Sequence, residues 1–104
     1  GRRAAYHRAM VRNVVMVKLA AQADAGEVAK LQERLRNLNC PGTVSYTVGD
    51  DLGLRDGNWS FGIVADFADE ESYRGYDADA EHNRIRAELA THVAQTVRLQ
   101  YALP

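Results

Sequence analysis

The chain has 104 residues, 46% hydrophobic and 26% charged, with a net charge of −1; this is the scale of one globular domain and leaves no room for a second core. Its charge is uneven, because GRRAAYHRAM at the start holds Arg2, Arg3 and Arg8 and no acid, so the remainder is mildly acidic and nucleic acid is excluded as the expected partner. A single cysteine, Cys40, excludes an intrachain disulfide and a cysteine metal cluster, and no apolar run approaches the roughly 18 residues of a membrane span.

These features predict a soluble cytoplasmic protein with no metal, no cofactor and no membrane partner, Cys40 being a free thiol at a helix end. Residues 1–10 read as a basic extension or a cloning remnant, because MVRNVVMVKL from Met10 has the look of a natural start; residues 11–104 read as one domain. A domain this small buries only about 60 to 65% of the surface of its unfolded chain, so a homodimer is expected.

In chain order, VRNVVMVKL (residues 11–19) alternates Val11, Asn13, Val15, Val17 and Leu19 against Arg12, Val14, Met16 and Lys18, which predicts a strand. Asp24, three residues before Glu27, then signals a helix start. Val28, Leu31, Leu35 and Leu38 recur at helical spacing until Pro41-Gly42 stops the run. Val44, Tyr46 and Val48 alternate with Thr43, Ser45 and Thr47 in a second strand, and GDDLGLRDGN is a long loop. WSFGIVADF is the third strand, with Trp59, Phe61, Ile63, Ala65 and Phe67 on one face; Gly62 in its middle predicts a bulge or a close approach. Asp69 can cap a short helix to about Tyr76, YDAD interrupts it, and Asp79 can cap a second piece to about Thr91 or Val93. Val97, Leu99, Tyr101 and Leu103 alternate in a last strand.

The order strand, helix, strand, strand, helix, strand predicts an α+β, ferredoxin-like βαββαβ domain with a four-stranded antiparallel sheet. An RNA-binding version of this topology needs stacking aromatics on strands one and three, and VVMVKL has none. A phosphate loop is equally ill matched by GDDLGLRDGN, which carries three aspartates against one arginine.

One residue breaks the apolar stripe of the last helix. His82 shares a face with Ile85, Leu89 and Val93, and with Asp79 as N-cap it is the third helical residue, near unpaired N–H groups and the positive end of the helix dipole. That setting favours a neutral ring able to accept a proton. Tyr76 precedes it by six residues, so a bend at 77–79 brings a phenol toward the same cavity mouth, a usable base and hydrogen-bond donor pair. The plainer alternative is a partly buried histidine bonded to a cap or carbonyl. Asn13 interrupts an apolar strand face, so it either lines a wet cavity or ties down a neighbouring chain. Trp59 and Phe61 are core or cavity wall. His92 fits the favourable end of a helix, and Asp66 a solvated strand face.

VRNVVMVKL, the loop before an apolar third strand, and FADEESYRGYDADAEHNR together resemble the stress-responsive A/B-barrel (Dabb) family, over roughly residues 11–103. The best marker runs from Phe67 to His82: Tyr76 and His82 match the tyrosine and second histidine of the family pattern. Asp79 stands where the first histidine usually is, and Ala80 where a proline is. The resemblance implies a homodimer whose two sheets close into a barrel, with a pocket between each sheet and its own helices. In family members that are polyketide cyclases, the equivalent histidine is the base of an intramolecular aldol condensation and the tyrosine holds the oxyanion; these have a histidine where this chain has Asn13.

The expectation is thus a dimeric α+β barrel that binds a small, apolar or aromatic, carbonyl-bearing molecule. His82 and Tyr76 are the candidate catalytic pair, and Asn13, Trp59, Phe61 and Ile85 the candidate substrate-binding residues. The alternatives are a non-catalytic stress-response or scaffold protein acting through its dimer interface, and a cofactor-free monooxygenase-like enzyme. The residues leave open whether it is an enzyme at all.

Overall fold

The computed structural model describes residues 9–104, so His7 and nearly all of the basic leading segment lie outside the described residues. Strand β1 (Val11–Leu19) is followed by helix α1 (Ala25–Arg36), strands β2 (Thr43–Asp50) and β3 (Phe61–Phe67), helices α2 (Glu70–Ala78) and α3 (Ala80–Ala90), and strand β4 (Val93–Ala102). This is the ferredoxin-like βαββαβ order with its second helix broken in two. The strands form one antiparallel sheet in the order β2-β3-β1-β4.

Strand alternation decides which face the helices cover. Asn13 and Val17 of β1 and Phe61, Ile63, Ala65 and Phe67 of β3 are buried, while Met16 and Val64 between them are exposed. Helix α1 lays Val28, Leu31 and Leu35 on this inner face, and α3 adds Ile85 and Leu89. Each such side chain contributes about 1.5–3 kcal/mol by leaving water. Arg34 of α1 ties the two helices together, donating to Glu88 at 2.6 Å and Glu81 at 3.0 Å.

Caps set the helix starts. The carboxylates of Asp24, Asp69 and Asp79 accept the N–H of Glu27, Ser72 and His82 at 2.9, 2.8 and 2.9 Å. Helix α1 ends at Arg36, with Asn37 as its cap, before the expected Leu38. The residue preceding Pro41 is pushed out of helical geometry, and the chain uses the last residues to turn Leu38 inward against the core. Gly42 has φ +83°, and a Cβ there would collide with the Ser72 side chain, so only glycine lets the turn pass this closely under α2.

Several strand details differ from the sequence reading. A register shift between Thr43 and Ser45 rotates Val44 out of the inner face, leaving it 58% exposed, whereas Tyr46 and Val48 face inward. Strand β3 starts at Phe61, so Trp59 falls before it. No register shift occurs at Gly62, which pairs regularly with Met16 and Gly49; the bulges are at Thr43/Ser45 and Lys18/Leu19 instead. Asp66 is buried, not solvated, because Arg12 grips both its oxygens at 2.8 and 2.9 Å. Among the described residues, no helix is long and apolar enough to cross a membrane.

Candidate functional site

Strand β4 explains why the inner face is not filled. Its residues opposite Val17, Val15 and Asn13 are Thr96, Arg98 and Gln100, so no large apolar side chain rises from this edge to meet α3. A cavity of about 330 Å³ remains between the sheet and the helices α2 and α3. Val15, Ile63, Ile85 and Leu89 are among its apolar wall; Asn13 and His82 are polar groups within it, and Tyr73, Tyr76, Asp77, Arg86 and Arg98 also line it.

The bend between α2 and α3 positions the histidine. Asp79 closes α2, its N–H donating to the Tyr76 carbonyl at 3.1 Å, and opens α3, its carboxylate accepting the His82 N–H. This fixes His82 as the third residue of α3 and sends its ring back over α2. There Nδ1 lies 2.8 Å from the carbonyl oxygen of Tyr76, and the imidazole stacks on the phenol ring with centroids 3.9 Å apart.

A carbonyl oxygen only accepts, so Nδ1 carries the proton and Nε2 keeps its lone pair. Nε2 has no partner among the described residues, yet no buried side-chain nitrogen or oxygen there is left unbonded; Nε2 is therefore open to the cavity that His82 lines. Burial pushes the ring's pKa below its ordinary 6.5, opposed by the bond to the Tyr76 carbonyl. The group at neutral pH is an uncharged imidazole of defined tautomer.

Tyr76 is 3% exposed, and its hydroxyl is 2.8 Å from the hydroxyl of Tyr46. Burial first, then the neighbouring Tyr46, drive the Tyr76 pKa far above that of a free phenol, and burial also raises Tyr46. The pair stays protonated. Tyr46 does not line the cavity, so the Tyr76 hydroxyl is committed to a residue outside the site, and the Tyr76 carbonyl is taken up by Asp79 and His82. Cys40 packs beside Ala65, Phe67 and Tyr76. Burial raises its thiol pKa, making it an inert part of this cluster.

Asn13 is 3% exposed and lines the cavity, and its Oδ1 accepts from Gln100 Nε2 at 2.8 Å, while its NH₂ has no hydrogen-bond partner among the described residues. Asn13, Tyr76, His82 and Ile85 thus come together around one space. Trp59 and Phe61 do not join them. Phe61 packs in the apolar cluster with Val17, Val28 and Leu31, and Trp59 sits before β3 beside a shallow depression with Met16, Gly49 and Gly62. His92, beyond α3, accepts the Asp24 N–H on Nδ1 at 3.3 Å, tying the start of α1 to the turn before β4.

Tyr46, Tyr73, Arg86 and Arg98 were not foreseen. Tyr46 carried a signal, its inward alternation with Val48. Arg98 carried a misleading one, since it alternates with Thr96 and Gln100 as the polar side of a strand normally turned to solvent. Among the described residues, no group of three or more histidines, cysteines or carboxylates could hold a metal ion.

The family model described as the stress responsive A/B barrel domain matches residues 11–102. A dimeric ferredoxin-like protein of unknown function from Thermobifida fusca is 26% identical, with 94% of each chain covered and a TM-score of 0.83. A hydroxynitrile lyase from Passiflora edulis has the same fold at 16% identity, covering 93% of this chain and 95% of that one, with a TM-score of 0.80. A Dabb family protein from Mesorhizobium loti is 17% identical over 92% of this chain and 98% of that one, with a TM-score of 0.72. No curated protein gives a significant match.

Proposed function

The chain belongs to the stress-responsive A/B barrel domain family, and from that premise we propose that it binds a small carbonyl compound in its inner cavity and transfers a proton on it through His82. The observation that carries this reading is the 2.8 Å contact between His82 Nδ1 and the Tyr76 carbonyl, which leaves a basic Nε2 toward a largely apolar cavity. A volume of about 330 Å³ lies at the small end of the roughly 300–1,000 Å³ typical of ligand pockets.

In the proposed reaction, Nε2 takes a proton from the carbon next to the carbonyl, and the C–H electron pair becomes the enolate. That enolate attacks a second carbonyl of the same molecule, forming a carbon–carbon bond, and the imidazolium returns its proton to the new alkoxide. Burial and the charge of Arg86 oppose the imidazolium, while the Tyr76 carbonyl and the charges of Asp77 and Asp79 support it; the net effect favours the neutral ring that a general base must be. Developing negative charge on oxygen falls to the NH₂ of Asn13. The Tyr76 hydroxyl serves in that role only if it leaves Tyr46, so Tyr76 acts chiefly by holding the histidine. A hydroxynitrile lyase of the same fold supports catalysis as a use of such a domain.

The protein acts as a homodimer in this reading. Met16, Val64, Val97, Leu99 and Tyr101 on the outer sheet face are 37 to 62% exposed, an apolar surface that a second copy would cover. The Thermobifida fusca protein, described as dimeric, supports this pairing.

The test is hydrogen–deuterium exchange at the methyl group of acetophenone, followed by NMR in heavy water. Wild-type protein should accelerate exchange above buffer and His82→Gln should abolish the acceleration. Equal rates for the two proteins would remove His82 as the base.

A further inference from the structure

Two arginines stand around the cavity, and only one has its charge matched. Arg86 of α3 donates to a carboxylate oxygen of Asp77 at 2.9 Å and to the Asp77 carbonyl at 2.6 Å. Arg98 enters from the inner face of β4, opposite Val15. It has no ion-pair partner among the described residues, and residues 1–8 contain no acid to supply one. It lies near enough to the Tyr73 phenol, another lining group, to oppose the rise in pKa that burial imposes there.

An unmatched guanidinium beside an apolar wall is a directional anion site. It can hold a carboxylate through two parallel N–H···O bonds. Val15, Ile63, Ile85 and Leu89 offer the complementary surface for a hydrocarbon or aryl body, and His82 and Asn13 the polar contacts for a carbonyl or hydroxyl. We propose that the cavity's ligand is a small carboxylic acid with an apolar body, its carboxylate on Arg98 and its carbonyl or hydroxyl oxygen at the Asn13 and His82 groups. This rests on the reading of the cavity as a ligand site and adds the charge and orientation of the ligand.

Two probes of nearly equal size separate the two ideas: 4-oxo-4-phenylbutanoate and its primary amide, titrated at pH 7 into wild-type protein and Arg98→Gln by calorimetry. Arg98 is exposed on an edge strand, so the substitution should leave the fold intact, which circular dichroism checks. The acid should bind wild-type protein about tenfold more tightly than the amide, on the scale of one charge-assisted contact. Arg98→Gln should bring the acid down to the amide's affinity and leave the amide unchanged. Equal binding of acid and amide to wild-type protein would overturn the carboxylate site while keeping the cavity as a neutral ligand site. A preference for the acid that survives in Arg98→Gln would overturn the assignment to Arg98. Failure of both probes to bind would overturn this inference together with the ligand-site reading beneath it.

Discussion

The carbonyl oxygen of Tyr76 accepts two hydrogen bonds, one from the N–H of Asp79 at 3.1 Å and one from Nδ1 of His82 at 2.8 Å. Both lone pairs of that oxygen are therefore used. The first bond ends a helix and the second orients the ring that the next helix supplies, so secondary structure and side-chain chemistry meet on one atom.

Burial of that ring sets a pH dependence, which the bond to the Tyr76 carbonyl partly offsets. Burial lowers the His82 pKa in the folded protein below the ordinary 6.5, so between the two values the unfolded chain binds more protons than the folded one. Stability should be full above about pH 6.5 and decline as pH falls through that window. Thermal denaturation of wild-type protein and His82→Gln at pH 5 to 7.5 checks this. The variant should show a flatter slope, and identical slopes would mean that His82 does not titrate differently on folding.

The Tyr46 and Tyr76 hydroxyls satisfy each other at 2.8 Å. Removing one leaves the other without its partner in a buried setting, so Tyr46→Phe and Tyr76→Phe should each cost about 1–3 kcal/mol. The double variant should cost clearly less than the sum of the two. Urea denaturation of all four proteins measures the coupling; strict additivity would show that the hydroxyls do not depend on each other.

Replacing the cap between α2 and α3 has a defined cost. Asp79→Ala should destabilise the protein by about 0.5–2 kcal/mol, and Asp79→Ser should restore most of it, since a serine hydroxyl can also accept the His82 N–H. Hydrogen exchange at the first amides of α3 should quicken in the alanine variant. Protection unchanged at His82 would show that the cap is dispensable.

On the outer sheet face, Leu99 is 62% exposed and Val97 46%. Leu99→Glu should leave the monomer fold intact and raise the dimer dissociation constant at least tenfold, because burying an unpaired carboxylate at an apolar interface costs more than about 1.4 kcal/mol. Sedimentation equilibrium checks this. An unchanged association constant would place the interface elsewhere.

Much of the fold was legible because its signals are local. The caps at Asp24, Asp69 and Asp79 each act over three residues, and the position of His82 follows directly from the last of them. Alternation marked the strands for the same reason. What could not be read depends on partners far away in the chain. The Arg12–Asp66 pair joins residues 54 apart, and the Tyr76 hydroxyl is turned by a tyrosine 30 residues upstream. Val44 was misplaced because a bulge resets the alternation within a strand. Alternation leaves Trp59 and Phe61 open between core and cavity wall, because it does not show where β3 begins; Phe61 is core and Trp59 precedes the strand. Arg98 belongs to the cavity through the pairing of β4 with β1, which puts no large apolar side chain opposite Val15 and Val17 and cannot be read from alternation within β4 alone.

The bend at Asp79 has a mechanical meaning. His82 rides on one arm and its anchor, the Tyr76 carbonyl, on the other, so the 2.8 Å contact measures the angle between two helices. If a bulky guest were admitted by swinging α3 outward, that contact would stretch and Nδ1 would lose what holds its proton in place. Since that bond favours the protonated ring, losing it would lower the proton affinity of Nε2, so the helix pair would act as a caliper that holds the base correctly at one width.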